Sequence, residues 1–135
     1  MKILAALVLM AWFAQAQTAP DVLKFFQTAA ESLADDDEQG FFDHFDPNMP
    51  GFTELRQSVQ TLLAAREVAS AIEIVNDDGD AKRRLLQLDW VITTSEKNAV
   101  NGQSSTRRVL VKCKLERQGK KWKITAFQPL DLFKL

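Results

Sequence analysis

The sequence predicts an α+β fold in which three N-terminal helices pack on a curved antiparallel sheet of about four strands. Up to about residue 66, apolar residues recur at the spacing of a helical face; after it they alternate with polar residues, as in half-buried strands. Short polar segments rich in Asn, Asp and Gly separate the alternating segments, which is typical of hairpins. Because the two kinds of segment occur in separate blocks, the pattern favours α+β over a parallel α/β sheet.

The composition is that of one ordinary globular domain, with 135 residues, of which 46% are hydrophobic and 26% charged. The net charge of −1 hides a division, since residues 17–80 carry 14 acidic and 3 basic side chains and residues 81–135 carry 4 and 13. One Cys excludes an intramolecular disulfide framework and a cysteine-rich zinc site, and one His excludes a multi-histidine metal site. We therefore expect no metal and no cofactor.

Residues 1–16 have the pattern of an export signal. A positive residue precedes the apolar run Ile3–Phe13, and Ala14-Gln15-Ala16 has the small residues of a signal peptidase site. The run is shorter than the roughly 20 residues that span a bilayer, although an uncleaved anchor or a buried helix is the alternative. We expect cleavage after Ala16, a single mature domain at residues 17–135, no membrane insertion after cleavage, and a periplasmic or secreted location.

Two of the three helices lie on either side of an acidic segment. Pro20-Asp21 predicts the start of the first, because proline suits the first helical turn and Asp the positive end of the helix dipole. Asp35–Glu38 is interpreted as the solvated start of a second helix over Glu38–Phe45. A calcium site is disfavoured there, because the alternating ligands, glycine turn and distal Glu of a calcium loop do not follow.

The loop Asp46–Gly51 follows, with two prolines and a glycine. Thr53 is then a plausible N-cap for a third helix that ends near Arg66. Alternation predicts four strands, namely Ala69–Val75, Leu86–Ile92, Val109–Leu115 and Trp122–Ala126. Turns are predicted by composition at Asn76–Asp80, Asn101-Gly102 and Gln118–Lys120, and a short apolar tail over Leu130–Phe133.

The chain resembles the nuclear transport factor 2-like superfamily, which includes ketosteroid isomerase, scytalone dehydratase and the SnoaL-like polyketide cyclases. The resemblance covers residues 20–130 and rests on four segments, namely Val22–Leu33, Leu86–Ile92 with its Leu88-Asp89-Trp90, Arg107–Leu115 and Gly119–Ile124. It implies a cone, in which a curved sheet wraps around a long N-terminal helix. A cystatin-like roll around one helix is the nearest competing topology.

The resemblance further implies an apolar pocket at the open end of the cone. Its candidate lining residues are aromatic, namely Phe25, Phe26, Phe42, Phe45, Phe52, Trp90, Trp122 and Phe127. Enzymes of the superfamily place a carboxylate base or a His–Asp pair in this pocket, often with tyrosines that polarise the substrate. This chain contains no Tyr, so an oxyanion hole built from tyrosine cannot be carried over.

Two residues are candidate catalytic groups, and each has a plainer interpretation. Asp89 alternates with Leu88 and Trp90, which predicts that it faces outward and pairs with a basic residue of the next strand. His44 is the only side chain that titrates near neutral pH, but its neighbour Asp43 cannot face it on a helix. A surface or capping role is therefore favoured for His44, and the sequence predicts no catalytic set.

The basic residues of the last strands predict a docking surface. Lys112, Lys114, Lys121 and Lys123 alternate with the apolar set, so they should share the outer sheet face. Nucleic acid is disfavoured because no aromatic residues are interleaved for base stacking. A protein partner or a homodimer could use this face, although like charges meeting across a two-fold axis weaken the homodimer.

The sequence thus predicts an exported, non-catalytic domain that binds a small apolar ligand or a protein partner. The alternatives are an isomerase, dehydratase or cyclase that uses His44 or Asp89, and an assembly or scaffold protein. An interior cavity lined by polar atoms would favour the enzyme, and a filled cone would favour the scaffold.

Overall fold

The computed structural model describes residues 19–97 and 103–135, and both the export signal with its cleavage site after Ala16 and the predicted Asn101-Gly102 turn lie outside these residues. Three helices precede four strands, which confirms the predicted α+β class and the order of the elements. The elements are α1 (Pro20–Ala34), α2 (Glu38–Phe42), α3 (Phe52–Ala65), β1 (Arg66–Gly79), β2 (Arg83–Glu96), β3 (Ser104–Gln118) and β4 (Lys121–Gln128). No helix in the described ranges is long and apolar enough to span a membrane.

The four strands form one curved antiparallel sheet in the order β1-β2-β3-β4. Trp90 on β2 lies opposite Ile72 of β1 and Val109 of β3, so the middle of the sheet is aligned across three strands. Alternate residues of β2, from Leu86 to Ile92, are buried on the inner face, as the alternation predicts. The helices pack on this inner face, and the opposite face is the outer face of the sheet.

The core is continuous between the helices and the sheet. Val22, Phe26, Ala29 and Leu33 of α1 are buried at helical spacing. They share one cluster with buried residues of α3 and of the sheet, including Leu55, Val59, Leu62, Leu88, Val111, Leu115 and Ile124. Burial of this apolar face is the main favourable contribution to folding.

Aromatic rings fill the interior between α2 and the sheet. The Trp90 ring centre lies 5.8 Å from Phe127 and 5.6 Å from Phe133, both in edge-to-face geometry. The ring centre of Phe41 lies 5.7 Å from that of Phe133. The Trp90 Nε1–H donates to Ser70 Oγ at 3.1 Å, which satisfies the one polar group of the buried indole.

The apolar tail completes this interior. Leu132 and Phe133 are each 1% exposed, because the segment after β4 turns back under the sheet. The Arg107 guanidinium of β3 holds the segment by donating to the backbone carbonyl oxygens of Leu132 at 2.6 Å, Lys134 at 3.1 Å and Asp131 at 3.4 Å. The sequence predicts an apolar tail here but not that it fills the core.

The structure differs from the sequence-based expectation around β1. The strand continues to Gly79, through most of the predicted Asn76–Asp80 turn, because a bulge between Ile74 and Asn76 keeps it paired with β2. Arg84 Nη1 holds both carboxylate oxygens of Asp77 at 2.9 Å across this extension. The turn itself begins at Asp80, whose carboxylate accepts from the backbone amides of the two residues that follow Ala81.

Other boundaries also move. A register shift between Lys114 and Leu115, relative to β4, turns Phe127 inward in place of the predicted Ala126. The second helix ends at Phe42 rather than Phe45. The third helix is preceded by Gly51 at φ 80° rather than capped by Thr53, since a positive φ at this position suits glycine.

Candidate functional site

The eight aromatic pocket candidates occupy two kinds of position. Six are buried, namely Phe26, Phe42, Phe45, Trp90, Trp122 and Phe127, and Phe25 and Phe52 are half-buried. Four of the buried ones, Phe42, Phe45, Trp90 and Phe127, line none of four depressions that described residues form at the surface. The interior in which the sequence suggests a cavity is thus packed with side chains.

A surface groove of about 770 Å³ brings three of the predicted residues together. Phe25 of α1, His44 after α2 and Trp122 of β4 all line it. The other lining residues are polar, charged or small, namely Asp21, Lys24, Thr28, Ser32, Asp37, Gly40, Asp43, Arg117, Lys120 and Lys121. We call this surface the His44 groove. Asp89 does not line it.

His44 caps the end of α2. Its Nδ1 lies 3.0 Å from the carbonyl oxygen of Gly40 and 3.1 Å from that of Phe41. Since a carbonyl oxygen only accepts, the neutral ring carries its proton on Nδ1 and leaves Nε2 as an acceptor. Nε2 has no partner within residues 19–97 and 103–135, and it is not among their buried unsatisfied atoms. The groove therefore contains one free imidazole lone pair.

The surroundings of His44 favour the neutral ring. Burial lowers the pKa of His44, and hydrogen bonds to the Phe41 and Gly40 carbonyls partly oppose this. Lys123 lowers the pKa further, and Asp43 raises it. The Phe25 ring stands edge-on to the imidazole with centroids 4.7 Å apart and contributes to the burial. His44 is thus neutral at neutral pH.

We expect the free energy of unfolding to fall as the pH is lowered below about 6.5, because unfolded His44 then takes up a proton that folded His44 resists. The loss continues down to the lowered pKa of the folded state. In His44→Asn, an amide N–H can still donate to the carbonyls and this part of the pH dependence should vanish. Urea denaturation between pH 7 and about 5 measures the difference. A His44 pKa at or above 6.5 by NMR titration would contradict the lowered value.

The opposite wall of the groove is a tight network around Trp122. Its Nε1–H donates to Asp21 Oδ2 at 2.9 Å, and Arg117 Nη2 donates to the same oxygen at 3.0 Å. The Arg117 guanidinium also lies 4.2 Å from the centre of the Trp122 ring. The hydrogen bond from Trp122, followed by Arg117, lowers the pKa of Asp21. In this wall the Asp21 carboxylate and the Arg117 guanidinium are therefore paired with each other.

Asp89 lies on the outer face, away from any cavity. Its Oδ1 accepts from Arg108 Nε at 3.1 Å, and its strand neighbours Leu88 and Trp90 are fully buried on the inner face. The expected cross-strand pair is therefore present. His44 and Asp89 do not share a site.

Cys113 and the acidic residues form no further centre. Cys113 is 3% exposed, and burial strongly raises the pKa of its thiol, so the thiolate needed for nucleophilic attack is disfavoured. Within the part of the chain that the structure describes, no three His, Cys, Asp or Glu side chains cluster as metal ligands would.

Comparison with known proteins identifies the fold. No protein-family model matches the sequence, and no curated protein matches it either. A solved Streptomyces avermitilis protein, whose name assigns it to the dehydratases of the nuclear transport factor 2-like family, is 12% identical with a TM-score of 0.62 over 79% of this chain and 91% of its own.

Two further solved structures are similar to this chain in fold. A Novosphingobium aromaticivorans protein named for scytalone dehydratase is 6% identical, with a TM-score of 0.65 over 79% of this chain and 78% of its own. A Nostoc punctiforme protein of unknown function with a cystatin-like fold is 16% identical, with a TM-score of 0.53 over 79% and 85%. At such identities the likeness concerns the fold alone.

Proposed function

We propose that this chain, which has the nuclear transport factor 2-like fold, is a non-catalytic binding domain that holds a small apolar ligand in the His44 groove. One observation carries the proposal. The interior is filled by aromatic rings, whereas the groove remains open and contains the half-buried Phe25 ring beside a free acceptor. The domain would act outside the cytoplasm, after removal of residues 1–16.

The residues that line the groove indicate the chemistry of the ligand. The half-buried Phe25 offers apolar surface, and His44 Nε2 can accept a hydrogen bond from a hydroxyl or amide of the ligand. Lys24, Lys120 and Lys121 line the same groove, so an anionic group on the ligand would be tolerated there. We therefore expect an aromatic or otherwise apolar molecule with one polar end.

The argument against catalysis concerns the partners of His44. A general base is strengthened when a carboxylate holds its other ring nitrogen, because the carboxylate stabilises the imidazolium that forms. Here Nδ1 is held by the carbonyls of Gly40 and Phe41 instead. The Trp122 N–H, a candidate for polarising a substrate, already donates to Asp21.

Phe25→Ala should weaken binding of anilinonaphthalene sulfonate, a fluorescent aromatic sulfonate, by about tenfold or more, because the variant removes one aromatic wall of the groove. A fluorescence titration measures the dissociation constant. Phe52→Ala is the matched control, since Phe52 is also half-buried but packs on Phe42 outside the groove.

Equal losses in the two variants, or no saturable binding by the natural sequence, would contradict the proposal. Native mass spectrometry of the protein purified from its own compartment then tests for a co-purifying small molecule. Such a molecule should be lost from Phe25→Ala and retained by Phe52→Ala.

A catalytic role as an isomerase, dehydratase or cyclase is favoured by one observation, the neutral imidazole with a free Nε2. In that case Nε2 would abstract a proton from an acidic carbon of the bound molecule. Exchange of deuterium from solvent into the co-purified ligand, lost in His44→Asn, would identify the enzyme and overturn the non-catalytic proposal.

A role in assembly, the function expected of a filled cone, is favoured by the packed interior and by the outer sheet face. Leu85 and Leu110 are 56% and 54% exposed there. On this face the acidic Glu73 lies on β1 and the basic Lys112 on β3, so the acid and the lysine occupy different sides of the sheet. A two-fold axis parallel to the strands would set the acidic side of one copy against the basic side of the other. This arrangement avoids the like-charge contact expected from the lysines, and sedimentation analysis distinguishes dimer from monomer.

A further inference from the structure

The two edge strands of the sheet, β1 and β4, differ in what covers them. The β4 edge is covered where the chain after α2 pairs with it, since Asp46 N–H donates to the Ile124 carbonyl at 2.9 Å and Ile124 N–H donates to the His44 carbonyl at 2.8 Å. The β1 edge has no such cover among the described residues. After its first residue, its backbone pairs only with β2.

The open edge is long and lacks two of the usual forms of protection. β1 has 14 residues and contains neither proline nor lysine, both of which commonly block pairing at exposed edges. Its bulge follows Ile74, so Arg66–Ile74 is regular. A regular open edge of this length presents a row of backbone N–H and C=O groups that another strand can pair with.

A groove runs beside this edge, between α1 and β1. It has a volume of about 370 Å³ and is lined by Ile72 and Ile74 of β1, by Leu23, Phe26 and Ala30 of α1, and by Gln27, Glu31 and Ser70. Leu23 is 45% exposed although it belongs to the apolar surface of the helix. Ile72 and Ile74 are only half-buried, although they face the same side as the core. The core is thus incomplete where the sheet stops.

The charged residues around the β1 edge indicate the chemistry of the segment that would bind there. Glu67 and Glu73 point to the outer face of β1, are exposed, and take part in no ion pair within the described residues. Glu31 is the only charged residue that lines the groove. The strand contains one basic residue, Arg66, which lies at its start. A second copy of β1 would bring the same excess of acids, so a basic segment is favoured.

We propose that the β1 edge binds an extended segment of a partner protein as a fifth strand. Alternate apolar side chains of the segment would enter the groove between α1 and β1. On the outer face, two basic side chains six positions apart would lie opposite Glu67 and Glu73, which have that spacing. Backbone pairing supplies the affinity, and the alternation of apolar and basic residues supplies the specificity.

A labelled synthetic peptide of about nine residues tests the proposal, with valine at every second position and lysines six apart among the others. Fluorescence anisotropy should give a saturable dissociation constant. Two further peptides are N-methylated on alternate residues, the first at the valine positions and the second at the positions between them. Only one set of N–H groups can face β1, so one methylated peptide should lose at least about tenfold in affinity and the other should bind nearly as well.

Two protein variants locate the site. Ile72→Lys puts a charge into the groove and should weaken binding by about tenfold or more. Leu85→Lys adds the same charge to the outer face of β2, where Leu85 is 56% exposed and lies away from the Arg66–Ile74 edge, and should weaken binding by much less. Circular dichroism checks that both variants fold. If Ile72→Lys does not fold, the two methylated peptides still decide the matter on the natural sequence.

Equal binding of both methylated peptides, or equal losses in the two lysine variants, would overturn the proposal. Dimerisation that competes with the peptide would also overturn it, because the occupant would then be a second copy. The groove beside β1 shares no lining residue with the His44 groove, so peptide binding does not depend on whether a ligand binds beside His44. The outcome is thus independent of the proposed ligand site.

Discussion

Replacing Trp90 with alanine is expected to lower the free energy of unfolding by about 3–5 kcal/mol, the usual cost of removing a large buried aromatic side chain. Trp90 is 0% exposed, and Phe127 and Phe133 pack against its ring edge to face. Its removal also leaves Ser70 Oγ without the indole N–H that it accepts. Urea denaturation followed by circular dichroism measures the loss without depending on the deleted fluorophore.

Leu110→Ala is the control, because Leu110 lies on the outer face of the neighbouring strand and is 54% exposed. A change within about 0.5 kcal/mol is expected there. A loss of less than about 1 kcal/mol in Trp90→Ala would contradict the filled interior. The interior would then accommodate an apolar ligand, and the proposed site would move from the surface into the cone.

The strands were predictable because a strand with one buried face alternates apolar and polar residues, and this alternation is visible in the local sequence. Along β2, every second residue from Leu86 to Ile92 is buried, and this period depends on neighbouring residues only. The outward position of Asp89 follows from the same period, and Arg108 is its partner because the register of β3 places it close by. The alternation of β2 thus favours an outward Asp89 over a carboxylate base inside the cone.

The contacts that build the candidate site were not predictable, since they join distant parts of the chain. The Asp21–Trp122 hydrogen bond joins residues 101 positions apart, and no local pattern marks the pair. The sequence predicts a surface or capping role for His44, but the carbonyls that it caps depend on where α2 ends, and the structure ends it at Phe42. The position of Phe127 depends on a register shift, which the composition of β4 does not reveal.

The uneven distribution of charge along the sequence has a structural counterpart. Residues from the acidic first half meet residues from the basic second half, as in the ion pairs of Asp21 with Arg117 at 3.0 Å and of Asp36 with Lys97 at 3.3 Å. These contacts stabilise the packing of the helical layer on the sheet only modestly, because the side chains are partly exposed. The acids of β1 have no such counterpart apart from Asp77, and that surplus motivates the basic partner strand.

Replacing Arg107 with methionine is expected to lower the free energy of unfolding by about 2 kcal/mol, since hydrogen bonds from a charged donor contribute about 1.5–3 kcal/mol. The guanidinium binds three carbonyl oxygens of the C-terminal segment, which carries the buried Leu132 and Phe133 into the interior. The amides of that segment should exchange with deuterium faster in the variant, because Arg107 is the side chain that ties it to β3.

Arg108→Met is the matched control for this experiment. Arg108 is the next residue of the strand, but it faces the outer side and forms an exposed ion pair with Asp89, whose loss should cost less than about 1 kcal/mol. Equal losses in the two variants would mean that Arg107 does not hold the segment. A large loss in Arg107→Met alone, with faster exchange confined to the C-terminal segment, would instead show that this segment closes the interior, so that ligands are left to the surface grooves.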